Sequence, residues 1–236
     1  MNHEATLERF FEALVNGDRR EARSIIDAAA SDLSAEHMIE MIFWPAHEMI
    51  DRLRRSDQLS KMGYHYATRL LRTLVDQNAR RLSQTNNTAK TVFACCGSSE
   101  GEELGAQMAV DLLESRGMRV CFAGGGLPSD EILAQVHELR PDYVVMFASA
   151  ASDLPGIREV IDTIRTINAS PNTQIAVGAG VFKRAEGLAE EMGADLYAGD
   201  PLELVEQLTG EIPEIPAEKL KATAATPMRK RRTRAA

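Results

Sequence analysis

The 236-residue chain has little of several things, and each shortage excludes a class. It has three cysteines, Cys95, Cys96 and Cys121. They are too few and too unevenly spaced for a disulfide framework or a structural zinc site, and they suit a reducing cytoplasm. One tryptophan and 5% aromatics leave no stacking surface for single-stranded nucleic acid. No apolar run approaches a membrane span, and the acidic, amphipathic start MNHEATLERF has no apolar signal core. Walker A and G-x-G-x-x-G sequences are both missing, which argues against an NTPase and a dinucleotide fold. Positive charge is scarce over most of the chain. The net charge is −8, but residues 217–236 alone carry +6, so residues 1–216 carry −14. Such a body repels phosphate backbones, and only the RKRR stretch at 229–232 could meet a polyanion.

What is present divides by period. Residues 1–83 read as helix, with stripes at Leu7, Phe10, Phe11, Leu14 and at Ala22, Ile25, Ile26, Ala29. Ser34 caps a third helix carrying Met38, Ile39, Ile42 and Phe43, and a fourth runs from about Leu59 to Leu82. Breaks are expected at Gly17, near Ser31–Ser34 and around Pro45–Asp57, giving a four-helix cap bundle. Residues 84–90 read as a linker. From Thr91, TVFACC, RVCFAG, YVVMFAS, QIAVGAG and DLYAGD alternate with helical stretches at 101–116, 128–140, 153–168, 182–192 and 201–209. Five such alternations predict an α/β domain over 91–210, a five-stranded parallel flavodoxin-like (Rossmann-like) sheet. Residues 211–236 are Pro- and Ala-rich, then basic, and read as a disordered tail.

In such a sheet, ligands lie beyond the carboxyl ends of the strands. Those ends here are Gly97–Gly105, Gly124–Gly126, Ser149–Ser152, Gly178–Gly180 and Gly199–Asp200. Small residues there let a large or long-tailed ligand lie against the backbone. Glycine in a tight turn is the ordinary alternative for any one of them. Three glutamates in the first loop, Glu100, Glu102 and Glu103, would repel a pyrophosphate. They fit a helix N-terminus or acid–base groups in a cleft. No nucleophile–base pair stands out, so the chain reads as non-catalytic by itself.

This layout resembles the cobalamin-binding modules of methionine synthase, corrinoid methyl-carrier proteins and light-sensing cobalamin regulators. The resemblance covers about residues 5–210. The family's D-x-H-x-x-G loop corresponds to Glu100-Gly101-Glu102-Glu103-Leu104-Gly105, with the glycine kept and the histidine replaced by Glu102. Its S-x-L corresponds to Ser149-Ala150-Ala151, and its G-G to Gly178-Ala179-Gly180. Its late G-A-D corresponds to Gly193-Ala194-Asp195, with Ala198-Gly199-Asp200 following. In the cap, Pro45 and His65 match, while Arg54 and Tyr64 stand where the family has Trp and Glu.

The resemblance implies a cobalamin held between cap and strand ends, its form undetermined. Glu100, Gly101, Glu102, Leu104 and Gly105 would then lie under the ring. Ser149, Ala151, Gly178, Gly180 and Gly199 would line the nucleotide arm, and His65 would contact the upper face or the metal. The family histidine is the lower cobalt ligand; a carboxylate is a poor substitute on a soft metal centre. Three roles follow: a cobalamin sensor or carrier, a corrinoid methyl carrier serving separate methyltransferases, or a regulatory scaffold with haem or no cofactor. Partners would be a methyltransferase or regulator protein, a second copy of the chain, and nucleic acid only through the tail. His37 and His47 are expected at the surface or in helix packing.

Overall fold

The computed structural model describes residues 3–86, 88–167 and 171–210; the expected basic tail lies outside the described residues. Residues 3–80 fold as four helical rods. α1 spans His3–Val15 and α2 Arg19–Ala29, the latter capped by Asp18, whose carboxylate accepts from the Arg20 and Glu21 N–H groups. α3 (Ala35–Met38), a π-helical turn (Ile39–Phe43) and α4 (Trp44–Arg55) form one continuous rod. α5 spans Lys61–Ala79 behind a Ser60 cap.

The break expected around Pro45–Asp57 falls at the end of that range, after Arg55; the chain stays helical through Pro45. Proline lacks an N–H and crowds the preceding turn. The wide π turn just ahead absorbs both effects, so the proline sits at the start of α4 instead of ending the rod.

The second domain begins with β1 (Thr91–Cys96), α6 (Glu100–Ser115), β2 (Arg119–Gly125) and α7 (Ser129–Leu139). It continues with β3 (Tyr143–Phe147), α8 (Leu154–Ile167) and β4 (Gln174–Gly178). Two short helices follow, α9 (Gly180–Arg184) and α10 (Leu188–Glu191), where the sequence suggests one. Gly187 at φ +80° turns the chain between them. β5 (Leu196–Ala198) and α11 (Pro201–Thr209) complete the unit. All strand pairs are parallel and the order is β2-β1-β3-β4-β5, the flavodoxin-like arrangement.

Strand alternation assigns each sheet face its own core. Phe93, Cys95, Val144, Met146 and Val177 point toward α7 and α8. Val92, Ala94, Val145, Phe147 and Ala176 face α6 and α11. That second core is continuous with the cap, joining Phe10, Phe43, Leu71 and Leu74 to Leu104, Met108 and Leu112 of α6. The apolar face of α6 thus welds cap and sheet, placing α4 directly over the carboxyl ends of β3, β4 and β5.

Candidate functional site at the cap–sheet junction

A cavity of about 370 Å³ lies where α4 crosses those strand ends. Gly105 and Ala109 of α6 form one wall, Phe147 and Ser149 the floor, and Ala179, Gly180, Ala198 and Gly199 the far side. Trp44, His47, Asp51 and Arg55 of α4 form the roof. A volume in this range, with an apolar interior and a few polar groups, suits a small organic group.

The loop matching D-x-H-x-x-G is wound into helix. Ser99 caps α6: its hydroxyl accepts from the Glu102 N–H, while the Glu102 carboxylate accepts from the Ser99 N–H and hydroxyl. This reciprocal pair is a capping box. The other Glu102 oxygen accepts from the Ser149 N–H at 2.6 Å, tying the start of α6 to the end of β3. Burial by itself would push the Glu102 carboxyl up; hydrogen bonds from Ser99 and Ser149 outweigh it and hold the group below its ordinary range. Asp153 goes the other way, raised by burial and by the neighbouring Glu102 charge. Protons therefore go to Asp153 before Glu102.

The roof is fixed from above. His47 stacks on Trp44 with centroids 5.2 Å apart, and its Nε2–H donates to the Gly101 carbonyl at 2.8 Å. Burial lowers the pKa of His47, leaving a neutral ring. Lys183 of α9 pairs with Glu48 of α4 at 2.5 Å, joining the two domains at the rim.

Of the residues expected at the site, Glu102, Gly105, Ser149, Gly180 and Gly199 come together around this cavity. Gly101 stands just outside it, as acceptor for His47. Gly178 ends β4 and sits in the sheet beside Phe147. Leu104 does not face the ligand space: it is buried in the core shared with the cap. Ala151 is exposed on the short helical turn after β3. Glu100 and His65 lie beside one another, 3.7 Å apart and half exposed, away from the cavity walls. Arg54 covers the Tyr64 ring at 3.9 Å, so it meets an aromatic face and not the glutamates of the loop. Glu103 pairs with Arg72 at 3.0 Å.

Sequence reasoning passed over His47, Asp51, Arg55 and Arg184. Helical phase carried the missed signal: Trp44, His47, Glu48, Asp51 and Arg55 recur at i, i+3, i+4, i+7 and i+11 on one face of α4. Of the two places expected for His47, surface or helix packing, the structure shows the second: the rod turns that face toward α6.

No group of three or more His, Cys, Asp or Glu able to hold a metal ion occurs among the described residues, and no described helix is long and apolar enough to cross a membrane. Cys95 and Cys96 lie on opposite faces of β1, and burial pushes both thiols up to about 12, so neither offers a thiolate.

A helical cap seated on a flavodoxin-like sheet, with a glycine-edged cavity between them, is the architecture of corrinoid modules. The B12 binding domain family matches residues 90–206, and a second B12 binding domain family matches residues 6–77. The chain belongs to the B12-binding domain family. Dimethylamine corrinoid protein 1 of Methanosarcina acetivorans is 27% identical over 111 residues, 46% of this chain and 51% of that protein. Dimethylamine corrinoid protein 3 of Methanosarcina mazei is 26% identical over 111 residues, 46% of this chain and 65% of that protein. The chain thus spans between half and two thirds of these curated relatives. The structure of Methanosarcina barkeri monomethylamine corrinoid protein superposes with a TM-score of 0.77 at 12% identity, covering 88% of this chain and 98% of that one. At that identity the likeness is one of fold.

The site fits part of such a cofactor. The cavity is large enough for part of a nucleotide arm, and Gly105, Gly180 and Gly199 at its edge let His47, Arg184 and Glu203 pack close to the backbone there. A lower metal ligand does not fit. Glu102 stands at the family's histidine position with both oxygens already hydrogen-bonded, and a carboxylate suits hard cations better than an alkyl-cobalt centre.

Proposed function

We propose that this chain binds a corrinoid between cap and strand ends and presents it to a partner protein. The observation that carries this reading is the cavity walled by Gly105, Ala109, Ser149 and Gly199 beneath α4. Ser149 and Gly199 are among the residues that the motif resemblance assigns to the cofactor's nucleotide arm. When bound, the cofactor supplies the organometallic chemistry; the protein supplies shape, a dry environment and orientation. Ser149, Gly180 and Gly199 offer backbone surface to the arm. Trp44 and the neutral His47 form the uncharged part of the roof, beside Asp51 and Arg55.

Ser149, Gly180 and Gly199 would hold the arm, and Glu102, whose oxygens already accept from Ser99 and Ser149, would offer the metal no nitrogen ligand. Chemistry on the cofactor would then be carried out together with a partner protein.

A second reading is methyl carriage for a separate methyltransferase. It is favoured by the likeness to the dimethylamine and monomethylamine corrinoid proteins.

Both readings are tested by mixing the purified chain with hydroxocobalamin and passing it through a desalting column. Retained corrinoid absorbance with about one equivalent per chain is expected, and a colourless protein fraction overturns both. Transfer of the methyl group from retained methylcobalamin to a thiol by an added methyltransferase, faster than from free methylcobalamin, selects the second.

A further inference from the structure

Two arginines from different domains converge at the mouth of the cavity. A side-chain carbon built on Gly180 would stand 2.6 Å from an Arg184 guanidinium nitrogen and 3.2 Å from an Arg55 nitrogen. Arg55 ends α4 of the cap, and Arg184 ends α9 of the sheet domain. Arg55 is paired with Asp51 at 2.7 Å. Among the described residues no carboxylate is paired with Arg184, though Asp51 attracts it at longer range; it donates to the Ser149 carbonyl, which uses one of its five N–H groups. Loss of water contact and the facing Arg55 charge both disfavour the charged form of Arg184.

Two guanidiniums meet here beside one carboxylate, while the other carboxylates of the cavity are engaged elsewhere: Glu48 by Lys183, Glu102 by Ser99 and Ser149, and Asp200 by the Leu202 and Glu203 N–H groups. This occurs in a body that carries −14 over residues 1–216. The Gly178-Ala179-Gly180 turn beneath them is itself unusual. Ala179 holds φ +75° and ψ −174°, a region that glycine occupies and L residues avoid. Helix-dipole complementarity explains a cation at the end of α4. It does not explain why the second guanidinium faces the first.

We propose that Arg55 and Arg184 form a clamp for a phosphate group at Gly180, one arginine from each domain, so that the bound anion draws cap and sheet together. Planar guanidiniums suit phosphate oxygens, each able to give two parallel hydrogen bonds. The phosphate is either the diester of a bound nucleotide arm or a free phosphate. Only the first source rests on the corrinoid reading.

The full chain serves as the test material. Melting is followed with inorganic phosphate against chloride at matched ionic strength. Stabilisation by phosphate is expected in the parent chain, and in Arg119→Ala, which alters a distant exposed arginine. It is expected to vanish in Arg55→Ala and in Arg184→Ala. Binding of cobalamin is then compared with binding of cobinamide, which lacks the nucleotide and its phosphodiester. If the phosphate belongs to the cofactor, each arginine variant weakens cobalamin about tenfold, as for one lost charge-assisted bond, and leaves cobinamide unchanged. If it is a free phosphate, both corrinoids bind the variants normally while phosphate stabilisation is lost. If neither corrinoid binds the parent chain, the proposed function fails and the phosphate melts still decide the clamp. The clamp is overturned if the variants keep the full phosphate effect, or if phosphate does nothing and both corrinoids weaken equally.

Discussion

His47 Nε2 donates to the Gly101 carbonyl at 2.8 Å, across 54 residues of sequence, and locks the cap to the start of α6. The other ring nitrogen is buried without a partner. Protonating it would place a charge in a dry pocket, and burial lowers the pKa accordingly. The unfolded chain, with an ordinary histidine near 6.5, then takes up the proton first. Stability contributed by neutral His47 is therefore present above about pH 6.5 and lost as pH falls below it. Urea midpoints measured between pH 7.5 and 5.5 should fall more steeply in the parent chain than in His47→Gln. Parallel profiles would show that His47 carries no such linkage.

Glu102 joins α6 to β3 through Ser99 and Ser149. Glu102→Ala removes a capping box and leaves the Ser149 N–H without its partner. The expected cost is about 1–3 kcal/mol. A urea midpoint unchanged within error would mean that the carboxylate is not a structural tie.

Gly125 has no room for a side chain: a carbon built there meets the Gly97 carbonyl oxygen at 2.1 Å. The obstacle is backbone and cannot turn aside as a side chain would, so the chain at the carboxyl ends of β1 and β2 must separate to relieve the contact. Gly125→Ala should cost about 1–3 kcal/mol or more. Gly126→Ala meets only a side-chain carbon of Ser98 at 3.6 Å, and its cost is set by a φ of +75°. The two variants, compared by denaturant melts, separate the steric term from the conformational one.

The three thiols should react unequally. Cys95 and Cys96 are pushed up to about 12 by burial, whereas Cys121 is exposed. Iodoacetamide at pH 8 should label Cys121 alone in the native chain and all three in urea, as read by peptide mass spectrometry. Native labelling of Cys96 at a similar rate would mean that the loop after β1 opens.

Much of the fold is legible in the residues. TVFACC forms β1 as written, and the alternation that puts Cys95 and Cys96 on opposite faces is observed. The helical stretches at 101–116 and 201–209 match α6 and α11 to within a residue. The site was half legible. Glycines and serines at strand ends mark Gly105, Ser149, Gly180 and Gly199, because a sheet of this kind fixes where its strand ends converge. The roof was not. Pro45 reads locally as a helix stop, and only the π turn formed by Ile39–Phe43 keeps the rod intact. Without that continuity the phase of His47, Asp51 and Arg55 cannot be assigned. Leu104 illustrates the reverse case. It lies inside the motif, but the helical turn set by the Ser99 cap rotates it into the core.

The central claim is that the nucleotide arm enters the cavity while the protein supplies no nitrogen beneath the metal. Electron paramagnetic resonance of the protein loaded with cob(II)alamin tests this directly, using chain grown with ¹⁵N-histidine and with ordinary histidine. The account predicts a spectrum without nitrogen superhyperfine splitting, identical for the two preparations. A triplet splitting unaffected by the label would show the cofactor's own base still on the metal, and a splitting that changes with the label would show a protein histidine there. Either result would contradict the account.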